Sequence, residues 1–137
     1  MNIDWLRRTC LLFPHVTEQV QWGNDLVFKV GGRMFAVASL EPAAVCLAFK
    51  CSDESFADLT ERSNVIPAPY LARAKWIAME TRDAIPLEEL EELLREAYDL
   101  AFAKLTKAAQ ASLRTTPHPI KKKKSRPRKN AAKTGKR

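Results

Sequence analysis

Seven cations crowd ten residues near the end of the chain, Lys121, Lys122, Lys123, Lys124, Arg126, Arg128 and Lys129 in the stretch IKKKKSRPRK. The chemistry open to such a run is attraction to phosphates, which is strong, salt-sensitive and nearly blind to base sequence. A second, sparser set of cations, Lys29, Arg33, Lys50, Arg73 and Lys75, falls on or beside segments that read as strands. These five are the candidates for groove or shape contacts with a polynucleotide. Solvated strand-edge charges are the plain alternative.

Other reactive side chains are few. Catalysis needs a nucleophile, a base or a metal within mutual reach. The chain offers two histidines, His15 in a proline-bounded loop and His118 in the basic region. Neither has an evident partner in sequence, and no phosphate loop, G-x-S-x-G or H-E-x-x-H motif is present. We expect no enzyme, no cofactor and no metal site. Cys10, Cys46 and Cys51 form an odd set without C-x-x-C spacing, so reduced, mostly buried thiols are expected. Trp22, Tyr70 and Trp76 are able to stack on bases, although packing is the commoner use of such rings.

Charge divides the chain. Residues 114–137 hold eleven of the 23 cations and no acid, leaving 12 cations against 16 acids, or about −4, for the remainder of a chain whose net charge is +7. The basic character therefore belongs to the tail and not to the body. With prolines, lysines and almost no large apolar group, the tail cannot bury enough surface to offset its ordering entropy. The expected organisation is one α/β domain over residues 1–113 and a disordered Lys/Arg-rich tail over 114–137. No apolar run approaches the roughly 20 residues of a membrane span, and MNIDWLRRTC lacks the form of a secretion signal, so a cytoplasmic protein is expected.

The elements that must position the candidates follow from periodicity. Ile3, Leu6, Cys10 and Phe13 recur at helical spacing behind the cap Asn2, and Pro14 stops the helix, which is predicted over 3–13. WGNDLVFKVGGRMFAVA alternates in period two on both sides of Gly31-Gly32, the signature of a two-residue hairpin turn. Regular pairing would join Val30 to Arg33, Phe28 to Phe35 and Leu26 to Val37. One face would then carry the large apolar groups, and the other Val27, Lys29, Met34 and Ala36. AVCLAFK would continue the division, with Val45, Leu47 and Phe49 inward and Ala44, Cys46, Ala48 and Lys50 on the small-residue face. A short helix capped by Ser52 or Asp53 is predicted to about Arg62, and VIPAPY is extended because its prolines remove donors. ARAKWIAMET is predicted as a strand. A final helix runs from 87 to about 108, with Leu90, Leu94, Tyr98, Ala101 and Leu105 as its stripe and an i,i+4 pair between Glu91 and Arg95. Its glutamates read as a solvated face.

Together these residues resemble the MmcQ/YjbR family. The matching features are Trp22-Gly23, VFKVGGRMFA at 27–36, the strand ending in Lys50, IPAPY at 66–70, Lys75-Trp76 and AYDLAFAKL at 97–105. The match covers about residues 3 to 107. The resemblance implies an α+β fold of the frataxin-like (CyaY-like) kind, an antiparallel sheet packed on helices, and a double-wing DNA-binding arrangement. Ala97, Pro69 and the long basic tail depart from the family pattern. The expected function is DNA binding, with double-stranded DNA the partner of a monomer. The tail would supply most phosphate contacts and the hairpin wings the rest. The alternative is a protein- or small-ligand-binding module whose tail serves solubility or RNA contact.

Overall fold

Gly31 and Gly32 stand at φ +57° and +84° and reverse the chain between β2 (Asp25–Val30) and β3 (Arg33–Ser39). A residue with a Cβ pays for that left-handed geometry, so the glycine pair fixes this turn locally. The computed structural model describes residues 1–115. Residues 116–137, with the seven cations at 121–129 and His118, lie outside the described residues, as does the expected disorder of that segment.

Around this hairpin the chain runs α1 (Ile3–Leu11), β1 (Val16–Gln21), β2, β3, β4 (Leu47–Lys50), α2 (Asp53–Leu59), β5 (Val65–Pro67), a 3-10 turn (Ala72–Ala74), β6 (Trp76–Met79), α3 (Leu87–Ala103) and α4 (Lys107–Thr115). The six strands form one antiparallel sheet in the order β1-β2-β3-β4-β6-β5. The α+β class is as expected. Helices α1 and α3 pack on one sheet face, and α2 sits beside β5 and β6. Among the described residues no helix is long and apolar enough to cross a membrane.

Local signals set the helix starts. The Asn2 side chain accepts from the Trp5 N–H at 2.7 Å, and the Ser52 hydroxyl accepts from the Ser55 N–H at 3.1 Å. Each satisfies an N–H that the first helical turn leaves without an intrahelical partner. Helix α3 buries Leu90, Leu94, Ala97, Tyr98 and Ala101 along one stripe. Arg62 ties its first turn to the end of α2 with a bidentate contact to Glu89 at 2.7 and 2.8 Å. Arg95 pairs with Asp99 at 3.4 Å, one turn on from the expected Glu91.

Register is where the sheet departs from expectation. Val30 does pair with Arg33, but the ladder shifts between Phe28 and Lys29, so that Phe28 pairs with Ala36 and Leu26 with Ala38. Phe35 is the extra residue of this bulge. Its ring meets Tyr98 of α3 edge-on, with centroids 5.8 Å apart at 87°. The shift carries Ala36 and Ala38 into the core under α3 and sends Val37 to the second face, the reverse of the expected division. A bulge serves two demands: a large ring where the helix needs filling, and small side chains where it approaches.

Other departures have similar causes. Val45 packs on the second face and Cys46 on the main core, because β4 begins only at Leu47. The expected strand over 72–81 shortens to Trp76–Met79, since Ala72–Ala74 coil into a 3-10 turn closed by Lys75 at φ 62°, ψ 49°. β1, an edge strand not read from sequence, is held by antiparallel pairing along the whole of β2. The second face gathers Met34, Val37, Val45, Ala48, Ile66 and Leu71 around buried Ala68, Trp76 and Ala78, so the segment after β5 partly covers it. The last helix divides in two. Gln110 Nε2 donates to the Phe102 and Leu105 carbonyls at 3.2 and 3.0 Å, the Thr106 hydroxyl accepts from the Ala109 N–H at 3.0 Å, and α4 starts anew. The 113/114 division drawn from composition therefore falls inside α4.

A Cβ placed on Gly31 would lie 2.7 Å from Leu105 Cδ1 and 3.3 Å from Leu113 Cδ1. Gly31→Ala is expected to destabilise the protein by about 1–2 kcal/mol from the left-handed backbone, with displacement of Leu105 in addition. The same change at Gly32, where nothing lies within 4 Å, is expected to cost only the backbone part. Urea denaturation of both variants checks the order.

Candidate functional site

The segment after β5 is bolted to the end of β4. The Cys51 N–H donates to the Lys75 carbonyl at 2.9 Å, Lys75 N–H to the Ala72 carbonyl at 3.0 Å, and Lys50 Nζ to the Ala74 carbonyl at 2.6 Å. Because Lys75 takes the left-handed conformation, the chain doubles back there and sets Arg73 and Lys75 next to Lys50. The β2–β3 turn brings Arg33 to the same end of the sheet, and Lys104, the C-cap of α3, reaches it from the helix side.

These five cations line one cleft of about 630 Å³. Asp53 is the single acid in its wall, and Leu71, Trp76 and Ala101 provide apolar lining. A body that is anionic by sum thus concentrates positive charge in one concavity. Within a Debye length of roughly 8–10 Å, local charge and not the distant total sets the potential an anion meets. Lys50 registers this field: burial pushes its ammonium below the usual lysine range, and Lys104 and Arg33 push it in the same direction. Lys75 Nζ rests 4.9 Å from the centre of the Phe56 ring, which steadies the side chain by cation–π attraction.

Four of the five domain cations expected from sequence therefore converge. Lys29 does not: it pairs across the ladder with Thr17 and Met34, half-buried on the second face, and does not line the cleft. Lys104 was missed. In sequence it reads only as a cation favourable at a helix C-terminus, and the break after Ala103 is what turns it toward Arg33 and Lys50. Trp76 is 4% exposed and packs, as expected of such a ring. Trp22 (64% exposed) and Tyr70 (fully exposed) do not, because both sit in turns at positive φ that leave the rings outside the core. Trp22 lies in the β1–β2 turn, at the opposite end of β2 from the cleft.

The remaining chemistry is structural. Cys10, Cys46 and Cys51 are free, and burial pushes each thiol up, that of Cys51 to about 11, so all three stay protonated at neutral pH. Glu89 is held below the ordinary carboxylate range by Arg62, and Glu96 accepts from the Ser52 N–H at 3.2 Å. His15 stands at φ 64° in the loop before β1. Among the described residues no group of three or more His, Cys, Asp or Glu side chains is placed to hold a metal.

Since Lys104 holds the Lys50 ammonium down by repulsion, Lys104→Gln is expected to raise the Lys50 pKa while leaving the burial contribution in place. Titration of the lysine ¹³Cε resonances reads the shift; an unchanged Lys50 would show that the two charges do not share the cleft.

The YjbR family model matches residues 11–100. Among solved structures, Deinococcus radiodurans protein DR2400, which carries the DUF419 domain, superposes with a TM-score of 0.74 at 31% identity, over 82% of this chain and 87% of that one. A Pseudomonas syringae protein is similar in fold alone, with a TM-score of 0.62 at 16% identity over 74% of this chain and 99% of its own. No curated protein matches. With the family model matched over residues 11–100 and a structure of 31% identity superposed over 82% of the chain, the chain belongs to the YjbR family.

Proposed function

We propose that the protein is a non-catalytic nucleic-acid-binding module that takes double-stranded DNA as a monomer. Phosphates would engage Arg33, Lys50, Arg73, Lys75 and Lys104 in the cleft, while the cations at 121–129 add affinity. The observation that carries this reading is the convergence of those five side chains, from four separate parts of the chain, on one concave surface with a single acid. Phosphate contacts of this kind position a protein on a duplex and weaken steeply with salt. Gly32 and Arg33 line the cleft at the end of the hairpin; this turn would serve as the wing nearest such a duplex, with Arg33 as its leading cation.

A second reading is favoured by the cleft's size and apolar lining. A volume of about 630 Å³ lies within the range of about 300–1,000 Å³ usual for small-ligand sites, and the half-buried Leu71 would pack against the body of an anionic small molecule.

Fluorescence anisotropy with a labelled duplex separates the two. If six to ten cations engage phosphates, affinity should fall roughly 10³- to 10⁵-fold between about 50 and 200 mM salt. Arg73→Gln should reduce the log–log salt slope by about 1 without changing sequence preference. Failure of the full chain to bind the duplex at low salt would leave the small-ligand reading in its place.

A further inference from the structure

Tyr70 holds a large ring fully in solvent from a backbone at φ +67°. Ala68, two residues before it, is buried; its N–H donates to the Trp76 carbonyl at 3.0 Å, and the Leu71 N–H closes back on the Ala68 carbonyl at 3.1 Å. Residues 68–71 are therefore a four-residue turn with Pro69 second and Tyr70 third. Proline suits the second place of such a turn, whereas a positive φ at the third favours glycine. A tyrosine in that place bears the strain of a left-handed backbone and gains no burial from it. Strained residues of this kind cluster at active sites and ligand clamps, and the surroundings of this one are specific. Leu71, the next residue, lines the cationic cleft, as do Arg73 to Trp76. The Trp76 N–H donates to the Leu71 carbonyl at 3.3 Å, which fixes the turn to the cleft wall. Trp22, exposed at positive φ in the same way, has no cation in its turn.

We infer that Tyr70 is a stacking platform beside the cleft, taking one unpaired base of a DNA strand whose phosphates lie against Arg73 and Lys75. This deepens the nucleic-acid reading above and rests on it: the preferred partner becomes a duplex with a single-stranded end. Inside a duplex both faces of each base are covered by its neighbours, whereas an unpaired base has a face free for an aromatic ring. Because a nucleotide joins its phosphate to its base through one sugar, cations and a ring only a few residues apart would contact the same short piece of strand. Phosphate contacts give affinity without discrimination; the ring adds a requirement for a base. The turn is already anchored at Ala68 and Leu71, so little ordering is lost when the ring is covered.

The test uses the full-length chain and two labelled duplexes with the same short single-stranded overhang, one with its bases and one abasic, so that the phosphate charge is equal. In anisotropy titrations the parent is expected to bind the overhang with bases roughly tenfold more tightly than the abasic one. Tyr70→Phe should keep that ratio. Tyr70→Gly should abolish it while leaving the affinity for the abasic overhang unchanged. Glycine suits the third place of the turn, so Tyr70→Gly should unfold thermally no lower than the parent, which separates stacking from a structural role. Equal affinity of the parent for the two overhangs, or a ratio that survives in Tyr70→Gly, would overturn the platform and leave DNA binding intact. Absence of binding to either duplex in dilute salt would overturn the nucleic-acid reading as well.

Discussion

Five like charges around one cleft repel one another, and the rest of the architecture has to hold them there. At a separation of ~8 Å in water each pair costs about 0.5 kcal/mol, and partial burial of Lys50 raises its share. The opposing contacts are specific. The Lys50 ammonium is fixed on the Ala74 carbonyl, Lys75 is turned back by its left-handed backbone and steadied over Phe56, and Lys104 sits where the carbonyl end of α3 favours a cation. None of these contacts neutralises the charge. A polyanion entering the cleft would relieve this repulsion, which gives the proposed binding a physical reason that needs no base-specific contact.

Holding α3 at the correct height is the second requirement, because its end supplies Lys104 and Ala101. The bulge in β3 does this. By inserting Phe35 it puts one aromatic ring against Tyr98 and then two alanines, Ala36 and Ala38, beneath the helix. Tyr98 in turn donates its hydroxyl to the Pro14 carbonyl at 2.8 Å, fastening the loop after α1 to the same point. A regular ladder would have set Val37 under α3 instead, and filling a packed core with the wrong shape costs about 1–3 kcal/mol. The glycine turn, the bulge and the helix end are thus parts of one constraint on where Arg33 and Lys104 meet.

Much of this was legible in the residues. Gly31-Gly32 announced its turn because positive φ is a local property of glycine, and α3 announced itself through a sustained 3.6-residue stripe. Arg33, Lys50, Arg73 and Lys75, singled out because they lie on or beside strands, line one cleft. The bulge was not legible: period-two alternation reads equally well in two registers until a helix is packed on the sheet, and that misreading placed Val37 and Ala36 on the wrong faces. β1 was hidden because VTEQVQ carries no clean alternation and owes its structure to β2. Lys29 stands on the second face as read, yet away from the cleft, and Lys104 escaped notice for want of the helix break that Thr106 and Gln110 impose. Both placements are tertiary, since neither residue's neighbours in sequence say what it will stand beside.

The central claim is that the cleft at the Gly32–Arg33 end of the sheet is the surface a polynucleotide occupies. Titrating a DNA duplex into the ¹⁵N-labelled full-length chain and mapping the amide shifts tests it directly. The account predicts that the largest changes among the described residues fall at Gly32, Arg33, Lys50, Arg73 to Trp76 and Lys104. Shifts confined to residues 121–129, or centred on the Trp22 end of the sheet, would contradict it.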